Sequence, residues 1–407
     1  MKDLRPHFKN FINNNPENLF KGLKTPAYVI DEAMLIYDGK ILKNVQDKTG
    51  CKILLAQKAF SNFNLYPVLE PYLAGTEASG LYEARLGKEE MPNKEVHVFC
   101  AAYRDDEFSE LLKYADHIVF NSINQLKKFG PIAKANNKHI GIRINPECKT
   151  QKGPEIYDPC SQRSRLGVPI STFEREMTPE LLNMLDGIHF HTLCQQNSDD
   201  LYTTLKAVEE KFGKYLYNLK WINFGGVHHI TRPDYDINLL IKCINDIKTK
   251  YNLDVYLEPG EACVLDAGYL VTRVLDVFNN NGKNFIITDT SAACHMPDVV
   301  EMPYLPPLYN TNIYDYDVKA ILGGPTCLAG DIIGEYRFKE LPKENDLLIF
   351  GDLALYSSVK SNTFNGMPLC DIYALYSDNH LEKLTNFGYN DFKYRLGKLN
   401  EKNNKNN

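Results

Sequence analysis

The stretch Cys51-Lys52-Ile53-Leu54-Leu55-Ala56-Gln57-Lys58-Ala59-Phe60 decides how the rest of the chain is read. Ile53 to Ala56 are continuously apolar and few, the pattern of a strand buried on both faces. Lys58 follows that run by two residues. A lysine at the C-terminal end of a buried parallel strand stands where α/β proteins place their chemistry, for instance as an amine that forms an imine with a carbonyl group. It can equally be a solvated strand-end cation.

Working outward, short apolar segments recur at Gly75–Gly80, Glu95–Cys100, His117–Asn121, His139–Asn145, Gly187–His191, Trp221–Gly226 and Asp254–Glu258. Helix-length amphipathic segments such as Asp105–Tyr114, Asn124–Asn136 and Tyr235–Tyr251 separate most of them. With the Lys58 strand this makes eight strands in roughly 210 residues, the size of a (β/α)8 TIM barrel. After Gly260 the rhythm changes. Tyr269–Phe278, Asn284–Asp289, Val318–Leu322 and Leu347–Phe350 are strand-like, and the loops between them are rich in Pro, Gly and Asn. That predicts a mainly antiparallel β domain beside the α/β barrel. The expected division is a barrel over 32–264, a β domain from 1–31 and 265–395, and a disordered tail over 396–407. Thr25-Pro26-Ala27-Tyr28-Val29-Ile30-Asp31 is the strand that can cross over to the β domain.

A chain of 407 residues exceeds one ordinary core. Apolar content of 43% and charged content of 24% are globular values. The net charge of −6 carries no basic stripe, which excludes a nucleic-acid partner and slightly favours cationic ligands. Ten cysteines without a CxxC pair read as reduced thiols in the cytoplasm. Met1-Lys2-Asp3-Leu4-Arg5-Pro6 lacks an apolar leader, and no run reaches membrane-spanning length.

At the expected strand ends stand Lys58, Ala78-Ser79-Gly80, Arg143 with Asn145, His189-Phe190-His191, Gly225-Gly226 and Glu258-Pro259-Gly260-Glu261. Gly225 and Gly226 suit a close approach of backbone to phosphate, or a plain turn. His189 and His191, two apart on a strand, face one side. They can be a metal pair, a flat imidazole against a planar cofactor, or satisfied core histidines. Glu258 can hold a pyridine nitrogen in its protonated form, or simply pair with a local cation. In the β domain, Gly323-Gly324-Pro325-Thr326-Cys327-Leu328-Ala329-Gly330-Asp331 sets a cysteine in a turn where packing does not explain it.

Taken together, Lys58, His191, Gly225-Gly226, Glu258-Pro259-Gly260, Gly324-Pro325-Thr326-Cys327 and Tyr356, eight residues before Phe364-Asn365-Gly366, resemble the alanine-racemase-type pyridoxal-phosphate decarboxylases. Within them, Glu258-Pro259-Gly260-Glu261-Ala262, Asp289-Thr290-Ser291 through Asp298, Glu301-Met302-Pro303-Tyr304 and the Cys327 loop are most similar to carboxynorspermidine/carboxyspermidine decarboxylases. The resemblance implies a carboxy-lyase with pyridoxal 5'-phosphate on Lys58, and no metal. His191 then lies on the ring face, Glu258 at the pyridine nitrogen, and Gly225, Gly226, Gly260 and Tyr356 around the phosphate. Cys327 then protonates Cα, supplied by the partner of a homodimer. Relatives typically carry Arg where this chain has Glu261, and a Gly-Ser after the histidine, where this chain follows His191 with Thr192-Leu193-Cys194. Glu261, Asp298 and Asp331, with Glu301, are the carboxylates expected to hold the distal amines of a polyamine-type amino acid. The rivals are diaminopimelate, ornithine or arginine decarboxylation, a metal-dependent barrel hydrolase, and a non-catalytic pyridoxal-phosphate-binding regulator.

Overall fold

The computed structural model describes residues 16–151, 153–193, 196–226, 228–309 and 316–397. Cys194 and all but residues 396 and 397 of the expected tail lie outside the described residues. One unit spans Leu35–Cys263, and the other joins the residues up to Met34 with those from Val264 onward.

The strands in chain order are β1 (Ala27–Asp31), β2 (Lys52–Ala56), β3 (Gly75–Ala78), β4 (Glu95–Phe99), β5 (His117–Phe120), β6 (His139–Asn145), β7 (Val168–Pro169), β8 (Gly187–His189), β9 (Trp221–Asn223) and β10 (Asp254–Leu257). The ring β2-β3-β4-β5-β6-β8-β9-β10 closes on itself with every pairing parallel. The two-residue β7 sits outside the ring on β6, within the long connection that leads to β8. Helices at Asp105–Leu111, Ile123–Ala135 and Ile237–Tyr251 cross between strands. Ser122 Oγ caps the second of these by accepting from the Gln125 amide at 3.2 Å, and Asp236 caps the third through Leu239 at 3.0 Å.

β8 and β9 are shorter than their apolar runs suggest, ending at His189 and Asn223. His191 and Gly225-Gly226 therefore lie in the loops just beyond, not on strands. Backbone pairing still carries past both ends, with Phe190 N–H donating to Asn223 O at 3.0 Å and Phe224 N–H to Tyr256 O at 2.9 Å.

In the barrel interior Trp221 packs with Leu54, Val119 and Tyr256. A Cβ on Gly187 or Gly141 would lie 2.0 and 2.3 Å from the Trp221 indole, so those strands leave room where β9 inserts its ring. At the N-terminal end of the strands the layer is polar instead of aliphatic. His97, His117 and His139 are register partners across β4, β5 and β6. Their rings stack at centroid separations of 3.8 and 4.5 Å. Glu95 pairs with Lys52 and accepts from His97 Nε2 at 3.0 Å.

In the second unit β11 (Gly268–Asn280), β12 (Lys283–Thr288), β13 (Val318–Gly323), β14 (Ile332–Phe338), β15 (Leu347–Phe350), β16 (Asp371–Leu375) and β17 (Leu381–Lys383) join β1. Their order is β14-β13-β12-β11-β1-β16-β17, with β15 also on β11. Two pairings, β1–β16 and β12–β13, are parallel and five are antiparallel. The sheet is thus mixed. Tyr28, Leu270, Ile286, Leu322, Tyr336 and Phe350 pack in its core. Among the described residues no helix is long and apolar enough to cross a membrane, and the nine described cysteines are free thiols.

Candidate active site

The C-terminal ends of the barrel strands open on a cavity of about 910 Å3. Lys58 lies two residues past β2, and its Nζ stands 3.4 Å from Oε2 of Glu77 on β3. Register makes the meeting: Glu77 is the Cα partner of Ala56, and Gln57 N–H donates to its carbonyl at 3.0 Å. The Glu77 carboxyl is buried. Burial raises its pKa above the usual range, Lys58 opposes that rise, and Glu258 adds to it.

Glu258 follows β10. Its Oε2 lies 3.0 Å from His189 Nε2, and its Oε1 accepts from the Asn223 amide at 2.6 Å. Burial alone would raise this carboxyl; His189 and Lys58 outweigh it and hold Glu258 below the usual range. Burial lowers the His189 imidazole below its ordinary value, and the adjoining Glu258 opposes that fall. Among the described residues the buried Nδ1 of His189 has no hydrogen-bond partner. The Phe99 ring stacks on His189 at 5.4 Å, and the Arg143 guanidinium lies 4.7 Å above Phe99. Burial lowers Arg143 to about 10.

His191 takes a hydrogen bond from the Gly226 amide to Nδ1 at 3.2 Å. Burial drives this imidazole well below its ordinary pKa. It is therefore neutral with its proton on Nε2. Arg143 Nη2 donates to the His191 carbonyl at 3.0 Å, which fixes the backbone as the amide fixes the ring. Gly225 has φ +73° and donates to Asn223 Oδ1 at 2.8 Å. A side chain there would meet the Phe190 carbonyl at 2.4 Å. Both amides of the Gly pair are thus turned to side chains of the site. Gly260 sits so close to Ala59 that a Cβ would lie 2.5 Å from that methyl.

The ring nitrogens of His189 and His191 and a Glu258 oxygen lie within 4.8 Å of one another. One of the three contacts, His189 with Glu258, is already a carboxylate–imidazole bond, and His191 separately accepts from the Gly226 amide. Glu261 is buried with Oε1 3.4 Å from His229 Nε2. Arg232 donates to His229 Nδ1 at 3.1 Å. This carboxylate is turned to an imidazole.

In the other unit, the Cys327 thiol is exposed and accepts from Asn365 Nδ2 at 3.2 Å. Asp331 is buried beneath the same loop. Its Oδ1 accepts from the Ser291 hydroxyl at 2.9 Å and its Oδ2 from the Thr326 hydroxyl at 2.6 Å. Asp331 is thus saturated, and it braces the loop that carries Cys327. Asp298 pairs with Lys360, which also reaches Glu301 at 2.6 Å. Tyr356 adopts a left-handed backbone, φ +54°, with the Lys360 ammonium 5.7 Å from its ring centre.

Of the residues expected from sequence, Lys58, His191 and Glu258 line one cavity, and Gly225, Gly226 and Gly260 adjoin them through Asn223, His191 and Ala59. Glu77 and Asn223 belong to the same arrangement and were not expected. Both sit on interior-facing strand positions near a C-terminal end. A buried carboxylate or amide in a short strand is the signal that could have found them.

A sequence profile of the family described as "Pyridoxal-dependent decarboxylase, C-terminal sheet domain" matches residues 27–354. The carboxynorspermidine/carboxyspermidine decarboxylase of Campylobacter jejuni is 39% identical over 388 residues, which cover 92% of this chain and 99% of that one. A carboxyaminopropylagmatine decarboxylase of Synechocystis is 35% identical, covering 95% and 98%. The crystal structure of carboxynorspermidine decarboxylase complexed with norspermidine from Campylobacter jejuni superimposes with a TM-score of 0.84 at 38% identity, covering 92% and 100%.

Proposed function

The chain belongs to the pyridoxal-dependent decarboxylase family, and we propose that it releases CO2 from carboxynorspermidine and carboxyspermidine to give norspermidine and spermidine. The observation that carries this reading is 39% identity over almost the whole of a relative with that activity. A second reading, on carboxyaminopropylagmatine, is favoured by the relative at 35% identity. Comparing CO2 release from these amino acids, and from ornithine and diaminopimelate, tests the proposal. Turnover of diaminopimelate alone would overturn it.

The cofactor is pyridoxal phosphate, and the residues present fit it. A primary amine, an anionic carboxylate and a neutral imidazole line one cavity, and Gly260 packs so closely against Ala59 that only a glycine fits at that turn. When bound, the cofactor supplies an electron sink for the pair left on Cα as the carboxylate departs. Lys58 holds it through its amine. Glu258, kept anionic by its two hydrogen-bond donors, suits a protonated pyridine nitrogen. His191, fixed by the Gly226 amide and the Arg143 contact, offers a flat neutral face to the ring. Gly225, Gly226 and Gly260, in close-packed turns beside the cavity, are the backbone proposed to border the phosphate, with Tyr356 as a hydroxyl donor. Phe99, stacked on His189, helps keep water from the ring edge.

Cys327 is the proposed proton donor to Cα, and Asn365 holds its thiol. We assign it to the site of a partner subunit, so the working form is a homodimer in the cytoplasm. Exposed Leu328, Ile332 and Phe364 near the thiol loop support a face that a second copy covers. Glu261, Asp298 and Asp331 remain the proposed carboxylates for distal amines, each also meeting a partner within the chain.

A further inference from the structure

Four carboxylates line the cavity: Glu77, Glu155, Asp158 and Glu258. Two are committed at the lysine end, Glu77 to Lys58 and Glu258 to His189 and Asn223. The other two share one turn in the connection between β6 and β8. The Asp158 amide donates to the Glu155 carbonyl at 3.0 Å, and the Ser161 amide to the Asp158 carbonyl at 3.2 Å. Asp158 is only 5% exposed. Its Oδ1 accepts from the Cys160 amide at 2.8 Å. Among the described residues it meets no cation, and Arg163 and Arg165, exposed on the same wall, are not paired with it.

We propose that Asp158, assisted by Glu155, is the specificity-determining carboxylate that receives the first cationic amine of the substrate beyond its amino-acid end. This rests on the polyamine reading above and gives it a receptor. A carboxylate withdrawn from water without a counter-cation is costly to hold, and an ammonium entering the cavity removes that cost. The other acidic candidates already meet partners within the chain: Glu261 an imidazole of His229, Asp298 and Glu301 the Lys360 ammonium, and Asp331 two hydroxyls. The wall is also polarised, acidic at 155–158 and basic at 163–165. That suits a substrate with a carboxylate at one end and amines along the rest.

The test is Asp158→Asn in the holoenzyme. Asparagine keeps an Oδ1 for the Cys160 amide and removes only the charge. KM for carboxynorspermidine and the dissociation constant of norspermidine should each rise about 10- to 100-fold, the range of a lost charge-assisted hydrogen bond. Turnover at saturation and the visible band of bound cofactor should stay within about threefold. Glu155→Gln should act in the same direction and more weakly. Should Asp158→Asn lower Tm, Asp158→Glu decides, since norspermidine affinity returns if charge is the cause. Norspermidine binding within twofold of wild type in Asp158→Asn, or equal losses in both Asp158 variants, overturns the assignment. So does an affinity lost in Asp298→Asn but kept in Asp158→Asn. A wild-type enzyme that releases no CO2 from either amino acid would instead sink the functional reading, whatever Asp158 does.

Discussion

Oε2 of Glu77 lies 3.4 Å from Nζ of Lys58, at a carboxyl whose burial works against its ionisation. The lysine amine must lose its proton to take up a carbonyl and regain one to let it go. Glu77 is one group within reach for that exchange. Glu77→Gln removes the negative neighbour, so the Lys58 amine should release its proton at lower pH. The midpoint of the cofactor's visible absorption change should move down by about one pH unit. A spectrophotometric titration that superimposes on wild type would remove Glu77 from this role.

Cys327→Ala should leave cofactor binding and the visible band unchanged and slow product formation by about 100-fold, the usual scale for one lost proton donor. Asn365→Ala should show the same kinetic defect more weakly, because it frees the thiol without removing it. Single-turnover assays in deuterated water check whether the proton still arrives at Cα. A turnover rate and protonation outcome equal to wild type would reassign the loop.

Glu261→Gln should weaken cofactor binding, through His229, more than it weakens norspermidine binding. His229 lies three residues past the Gly pair, so loosening it disturbs that loop first. Equilibrium titrations with pyridoxal phosphate and with norspermidine separate the two effects. The opposite order would give Glu261 to the substrate.

His117 makes the fold sensitive to acid. Burial, then the neighbouring His97 and His139, push its pKa far below the ordinary 6.5. Above pH 6.5 the ring is neutral in both states and the effect vanishes. Below it, the unfolded chain binds a proton that the folded barrel refuses. Stability then falls by about 1.4 kcal/mol per pH unit for this group. His117→Phe keeps the stack and removes the titration. The fall in urea-unfolding free energy between pH 6 and 5 should shrink by that amount, and an unchanged fall would locate the sensitivity in other histidines.

Gly187→Ala should destabilise the barrel by about 3 kcal/mol or more, because its methyl would sit 2.0 Å from the indole of Trp221. Trp221→Phe in the same chain should recover part of that loss, a coupling readable from thermal midpoints of the four proteins.

How much was legible in the sequence follows from burial. Ile53 to Ala56 announced a strand because both of its faces are covered, and Lys58 drew notice as a cation beside it. β14 escaped notice because Gly334 and Glu335 interrupt its alternation of exposed and buried residues. Glu77 escaped because a glutamate in Gly75-Thr76-Glu77-Ala78 looks like surface until the ring closes around it. The acidic residues of the second unit looked free for the opposite reason. Pairings such as Asp331 with Ser291 or Glu301 with Lys360 join residues 40 and 59 positions apart, and no local pattern shows them. Asp158 lay in the one long connection that the strand rhythm left undescribed.

β1 is laid down before the barrel, yet it pairs with Gly268–Val271 on one side and Asp371–Leu375 on the other. During synthesis the whole of Leu35–Cys263 emerges while Ala27-Tyr28-Val29-Ile30 still has neither neighbour. The barrel can close vectorially on the ribosome, whereas the second sheet waits for its last strands. An amino-terminal fragment cut after the barrel would therefore carry an apolar strand with both edges open, a template for intermolecular pairing. To be produced alone the barrel should begin after β1, and a permuted chain should keep β1 next to β16.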